Sequence, residues 1–152
     1  MKIIEDLKNI KIQEIWRKKP MMVHTSAVAS YDHRHQALSI ERYHKGLGWK
    51  NCGYSYIIER DGTLYESEAL YGQQYHCKHG GQNRLSLGIC LSGDVTKQSP
   101  TDLQITVLQC LLEAYEISQV IYHCDFNKNK SCPGSYIIAA LENYPQIPVM
   151  RY

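Results

Sequence analysis

The chain has little of what would assign it at once. It has a single phenylalanine and five prolines, and no stretch approaches the ~20 apolar residues of a membrane-spanning helix. It has no charge excess: 17 Lys and Arg stand against 15 Asp and Glu, a net +2. The densest basic cluster, Arg17-Lys18-Lys19, is too short to act as a nucleic-acid footprint. Repeats, low-complexity tracts and Pro/Gly/Ser linkers are missing, so 152 residues are read as one body, long enough to bury roughly two thirds of its unfolded surface. A secretory leader is missing too, because MKIIEDLKNIKIQEIW sets acids among its isoleucines. Synthesis in a cytosol is therefore expected, and with it reduced thiols.

What is present is chemistry-bearing: six cysteines, seven histidines and twelve tyrosines. Fifteen pairings into three disulfides are formally open, but a reducing compartment argues against all of them. Cys90 in LGICLSG and Cys110 in VLQCLLEAY sit in apolar runs and read as small core residues. Cys132 differs, because HCDFNKNKSCPG around it is polar.

The pattern predicts mixed elements. Residues 3 to 18 read as an amphipathic helix stopped by Pro20. MMVHTSA reads as a buried strand ending at His24, and ALSIERYHKGLGW as a helix closed by Gly46 and Gly48. GYSYIIERDGTLYES is a hairpin with Asp61-Gly62 at its turn, and Tyr54 and Tyr56 fall on the same alternation as Ile58. YGQQYHCKHGGQNR is a loop and SLGICLSG a central strand. In SPTDLQITVLQCLLEAYEIS a capping box, Thr101 with Gln104, opens a helix on which Leu103, Val107, Leu111 and Tyr115 recur. QVIYH is a last strand and PGSYIIAALENY a closing helix. The sum is an α/β single domain, a central mixed β-sheet flanked by helices. Two strands end in a histidine, His24 and His123, where such sheets build their sites.

Imidazole and thiolate suit zinc, and a catalytic zinc takes three protein ligands and leaves one position open. His24, His123 and Cys132 are a candidate set, but the residues alone leave the choice open: a strand-end histidine is more often structural. A closed structural zinc on His76, Cys77, Cys124 and Cys132 is the alternative use of the same thiols.

Four segments in order, MVHTSA, WKNCGYSYIIERDGTLYE, NRLSLGICLSGD and HCDFNKNKSCPG, resemble the zinc-dependent N-acetylmuramoyl-L-alanine amidases shared by phage endolysins, bacterial amidases and peptidoglycan recognition proteins. The similarity is greatest to the small podophage amidases, which carry the ending seen here as Lys130-Ser131-Cys132-Pro133. The resemblance implies a peptidoglycan recognition protein/amidase-like fold over residues 21–152; residues 1–20, read from their spacing as helical, precede it and are longer than in the family. It implies Zn2+ on His24, His123 and Cys132, catalytic roles for Tyr54 and Lys130, and His76 near the substrate. The implied reaction is hydrolysis of the amide between the lactyl group of N-acetylmuramic acid and L-alanine. A peptidoglycan or muropeptide substrate follows, with neither nucleic acid nor membrane as partner, and a monomer is expected. A phage endolysin made in the host cytoplasm, reaching the periplasm after release, fits the missing leader, as do a cytosolic muropeptide recycler and a secretion-system effector. The same resemblance carries two other roles: a non-catalytic peptidoglycan-binding module, and a regulator of a phage RNA polymerase.

Some residues have competing readings. Lys128 competes with Lys130, because the loop between His123 and Cys132 is one residue longer than in the phage amidases, and Cys124 adds a thiol beside His123. Asp125 either supports a ligand or caps a turn. Asn83 and Ser86 read as structural, and His33, His35 and His44 as surface residues.

Overall fold

The computed structural model describes residues 1–29, 34–94 and 97–152; His33 lies outside them. Its frame is a six-stranded mixed sheet in the order β1-β4-β3-β5-β2-β6. The strands are β1 (Lys2–Ile4), β2 (Met21–Thr25), β3 (Tyr56–Ile58), β4 (Leu64–Glu66), β5 (Leu87–Leu91) and β6 (Val120–Tyr122). Strands β3, β5, β2 and β6 run parallel to one another, and β4 and β1 add antiparallel pairs beyond β3. The adjacent parallel strands β2 and β5, MMVHT and LGICL, are buried at every residue, as expected of parallel strands covered on both faces.

Alternation decides what each face holds. Met21 and Val23 of β2, Tyr56 and Ile58 of β3, and Leu87, Ile89 and Leu91 of β5 enter one large core with Leu108, Leu111, Ile137 and Leu141. Those last four belong to the helices α3 (Asp102–Ala114) and α5 (Ser135–Glu142). Ile57 and Cys90 point the other way, into a smaller core with Ala37 of α1 (Ala37–Gly46). Met22 joins Cys77 and Ile121 in a third cluster, also off the large core. His24, one alternation beyond Met22, belongs to this second face.

The predicted hairpin and capping box are both present. Gly62 turns with φ 86°, where a left-handed residue is needed, and Thr101 and Gln104 exchange reciprocal bonds at the start of α3. Gln104 Nε2 also donates to the carbonyls of Ile58 and Ser92, tying α3 to the ends of β3 and β5. Of the predicted apolar stripe, Val107, Leu111 and Tyr115 are buried, but Leu103 is 55% exposed. It lies in the first turn of α3, over Gly62 and beyond the sheet.

The expected helix over residues 3–18 is absent. That segment forms β1, then two 3-10 turns, Leu7–Asn9 and Glu14–Trp16. The edge of β4 offers unpaired backbone groups, and β-branched isoleucines suit a strand better than a helix. Trp16 closes the segment, buried with its indole N–H donating to the Leu70 carbonyl at 3.0 Å. Cys90 is buried as predicted, while Cys110 is only half-buried. Among the described residues no helix is long and apolar enough to cross a membrane.

Candidate metal centre and cleft

The site begins with strand register. In the parallel pair β2–β6, Met21, Met22 and Val23 face Val120, Ile121 and Tyr122. One step further along, His24 meets His123, the first residue of a short helix α4 (His123–Phe126). Neighbouring strands are ~4.8 Å apart, and the two imidazole centroids are 4.8 Å apart. Two distant histidines therefore become neighbours through pairing alone.

Cys132 is delivered by the loop that follows. Cys124 N donates to the Cys132 carbonyl at 2.8 Å, closing the loop on itself. The backbone N–H of Thr25 then donates to Cys132 Sγ at 3.4 Å, placing the sulfur beside β2. One ligand atom each from His24, His123 and Cys132 lies within 4.8 Å of the others, the one such His/Cys/Asp/Glu group among the described residues.

This donor set fits a catalytic zinc. Two bonds of ordinary zinc–nitrogen and zinc–sulfur length at a tetrahedral angle put N and S about 3.6 Å apart. His24 Nδ1 and Cys132 Sγ are 3.6 Å apart. Burial favours the neutral imidazoles that bind metal: it holds His24 well below its usual range, helped by the nearby His76 and His123, and pushes His123 down to about 4, with the Lys130 charge adding to this. Burial pushes the Cys132 thiol up to about 12, so the thiolate form needs a cation beside it.

The other predicted residues gather around this centre. The Tyr54 ring lies 5.1 Å from that of His24, and burial raises its phenol well above its ordinary range. Tyr56 points away, its hydroxyl paired with that of Tyr115 at 2.8 Å in the large core. A cleft of about 500 Å³ runs past Tyr54, His123 and Lys130 and includes Trp49 and Tyr75, whose rings stack at 5.2 Å. A second recess of about 360 Å³, lined by Val28, Ile40 and Tyr43, opens on the other side of Tyr54. Lys128 is directed elsewhere, with Nζ 3.4 Å from the Tyr152 carbonyl.

Several sequence readings change. His76 is 5% exposed, and both its nitrogens are engaged by the protein: Nδ1 is 3.0 Å from His24 Nε2 and Nε2 is 3.2 Å from the Ser86 carbonyl. His76 also lines the cleft with Tyr54 and His123, and its contact to His24 is one that the sequence reading did not anticipate. His44, expected at the surface, is buried; its Nδ1 accepts from Gly53 N at 2.9 Å, fixing the turn that precedes Tyr54. No room exists there for a larger residue, since a Cβ on Gly53 would lie 2.9 Å from Trp49. His35 bonds the Tyr65 hydroxyl and Asp61. Asn83 is structural as expected, accepting from Cys77 N. Asp125 neither caps a turn nor meets a ligand; it pairs in bidentate fashion with Arg151, at 2.9 and 3.0 Å. The closed four-ligand alternative does not form: the Cys77 sulfur turns to the His79 carbonyl, and neither Cys77 nor His76 is in the converging set.

Comparison with known proteins agrees with this geometry. Residues 17–135 match the family model described as N-acetylmuramoyl-L-alanine amidase. The endolysin of Enterobacteria phage T3 is 34% identical over 104 residues, covering 62% of this chain and 67% of the endolysin. Among solved structures, the N-acetylmuramoyl-L-alanine amidase LysC from Clostridium intestinale superposes with TM-score 0.68 at 24% identity, covering 86% of each chain. A peptidoglycan recognition protein-LE structure, in complex with tracheal cytotoxin, superposes with TM-score 0.72 at 24% identity, over 97% of this chain and 89% of its own. The fold is thus the one shared by N-acetylmuramoyl-L-alanine amidases and peptidoglycan recognition proteins. The chain belongs to the N-acetylmuramoyl-L-alanine amidase family and is similar to phage endolysins.

Proposed function

We propose that this protein hydrolyses the amide between the lactyl group of N-acetylmuramic acid and L-alanine, with zinc held by His24, His123 and Cys132. The observation that carries the reading is the meeting of those three ligand atoms within 4.8 Å, with His123 on the wall of a cleft that Tyr54 and Lys130 also line. When bound, zinc supplies a Lewis acid that polarises a carbonyl and acidifies water. The rest is done by the chain. Tyr54, held as a neutral phenol by burial, donates a hydrogen bond to an oxygen in the cleft. The Lys130 ammonium stabilises negative charge as the amide carbon becomes tetrahedral. The cleft on one side of Tyr54 and the recess on the other give the two sides of the scissile bond separate seats.

A binding module without chemistry is the rival on the same fold. The position of the Cys132 sulfur beside His24 favours catalysis, because a binding module needs no third ligand. Mass spectrometry of digested sacculi distinguishes the two. Cleavage between lactyl and L-alanine, lost on chelation and regained with zinc, is expected. Muropeptide binding with no new amino terminus after zinc reconstitution would overturn the proposal.

A further inference from the structure

We infer that His76 is a positioning residue that holds His24 in the tautomer whose Nδ1 lone pair faces the metal position. The inference rests on the metal reading above but is carried by a chain of hydrogen bonds with one fixed end. That end is the Ser86 carbonyl, which can only accept. His76 Nε2 lies 3.2 Å from it, so Nε2 carries the proton of a neutral His76 and Nδ1 keeps its lone pair. His24 Nε2 lies 3.0 Å from this Nδ1 and must therefore be the donor. The remaining nitrogen of His24, Nδ1, is left unprotonated, and it is the one 3.6 Å from Cys132 Sγ. Reversing any link would set two lone pairs, or two N–H groups, against each other.

The surroundings are built to hold this chain. Gln74 Nε2 donates to the same Ser86 carbonyl at 2.9 Å, and Gln74 Oε1 accepts from Gly88 N and Ser55 Oγ. The carbonyl is thus fixed from a side chain that is itself fully occupied. Gly88, the second residue of β5, makes the space: a Cβ there would lie 2.5 Å from His76 Cγ and 2.6 Å from Cδ2. The missing side chain in an otherwise apolar strand lets the imidazole lie against the sheet beneath His24. His24 is 1% exposed, so water cannot substitute as the acceptor. A metal-ligating histidine generally has its other nitrogen engaged in this way; here the acceptor is a second histidine whose own tautomer is set by the backbone.

Two measurements test it, the first without metal. Nitrogen-15 NMR of the metal-free protein reads the tautomers directly, and Nε2–H is expected on both His24 and His76; an Nδ1–H signal from His24 would overturn the inference even if the protein never binds zinc. The second is zinc affinity by chelator competition. His76→Leu is expected to weaken binding by about 10- to 100-fold. His76→Asn, whose side-chain oxygen falls near the Nδ1 position, is expected to restore most of that loss. Equal affinity for wild type and His76→Leu, with both folded, would overturn the role. If wild type binds no zinc, the metal reading fails while the tautomer result still decides this one.

Discussion

The two halves of the metal centre are held in different ways. His24 sits inside β2, which is paired on both edges and buried at every residue, and its Nε2 is engaged by His76. His123 and Cys132 bracket a loop whose side chains are half-buried or exposed. That loop is tied down by the last residues of the chain. Arg151 grips Asp125, Tyr152 N donates to the same carboxylate at 3.3 Å, and the Tyr152 ring lies 5.3 Å from Phe126. Met150 N donates to the Val120 carbonyl, so this strap begins on β6. The sheet therefore preforms His24 and, through β6, the position of His123. The loop that returns Cys132 is also held by contacts from residues 150–152, outside the matched segment 17–135.

The largest expected effect comes from removing a ligand on either side. Cys132→Ser and His24→Ala should each abolish sacculus digestion and zinc retention, measured by turbidity loss and metal analysis, while far-ultraviolet circular dichroism stays native. Next is the charge in the cleft. Lys130→Ala should lower kcat by about 10²–10³-fold, the range for loss of one oxyanion-stabilising group, and Lys128→Ala should leave it within about twofold. Equal effects would mean that the extra loop residue shifts the roles.

Acidity gives the third contrast. Between about pH 5 and 8 the metal-free site carries its proton on Cys132, pushed up to about 12, and not on His123, pushed down to about 4. Zinc must displace that proton, so affinity should rise about tenfold per pH unit over this window, and fall more steeply once the imidazoles protonate. A pH-independent affinity by chelator competition would remove the thiol from the ligand set.

The smallest effect isolates the strap. Asp125 is only 5% exposed at its side chain and Arg151 is 48% exposed. Solvent screening keeps such a pair near ~1 kcal/mol, or about 2–4 °C in Tm for a chain of this size. Arg151→Ala should show that small shift in calorimetry and several-fold weaker zinc binding. An unchanged affinity would mean that the loop holds its own shape.

How much of this was legible beforehand follows from where the determining forces lie. The hairpin, the capping box and the two buried strands are encoded locally, by turn residues and apolar runs, and the structure matches them. The N-terminal segment was misread because its fate depends on an open edge at β4, which no local pattern reports. His24, His123 and Cys132 were candidates on their own chemistry, but only the resemblance singled them out, since their meeting depends on the β2–β6 register. His44 was misassigned, and the contact of His76 to His24 was missed, for a related reason: both depend on buried hydrogen bonds to residues far along the chain or across a turn. Gly88 was the one available signal for His76, a gap in an apolar strand that nothing in the strand itself requires. The Arg151–Asp125 pair left no motif, because an ion pair between a loop and a tail has no fixed spacing.

X-ray absorption at the zinc edge of the reconstituted protein tests the central assignment most directly. It should show two nitrogens at about 2.0–2.1 Å, one sulfur at about 2.3 Å and one light-atom ligand in the remaining place. A second sulfur in the shell, or no sulfur at all, would contradict it.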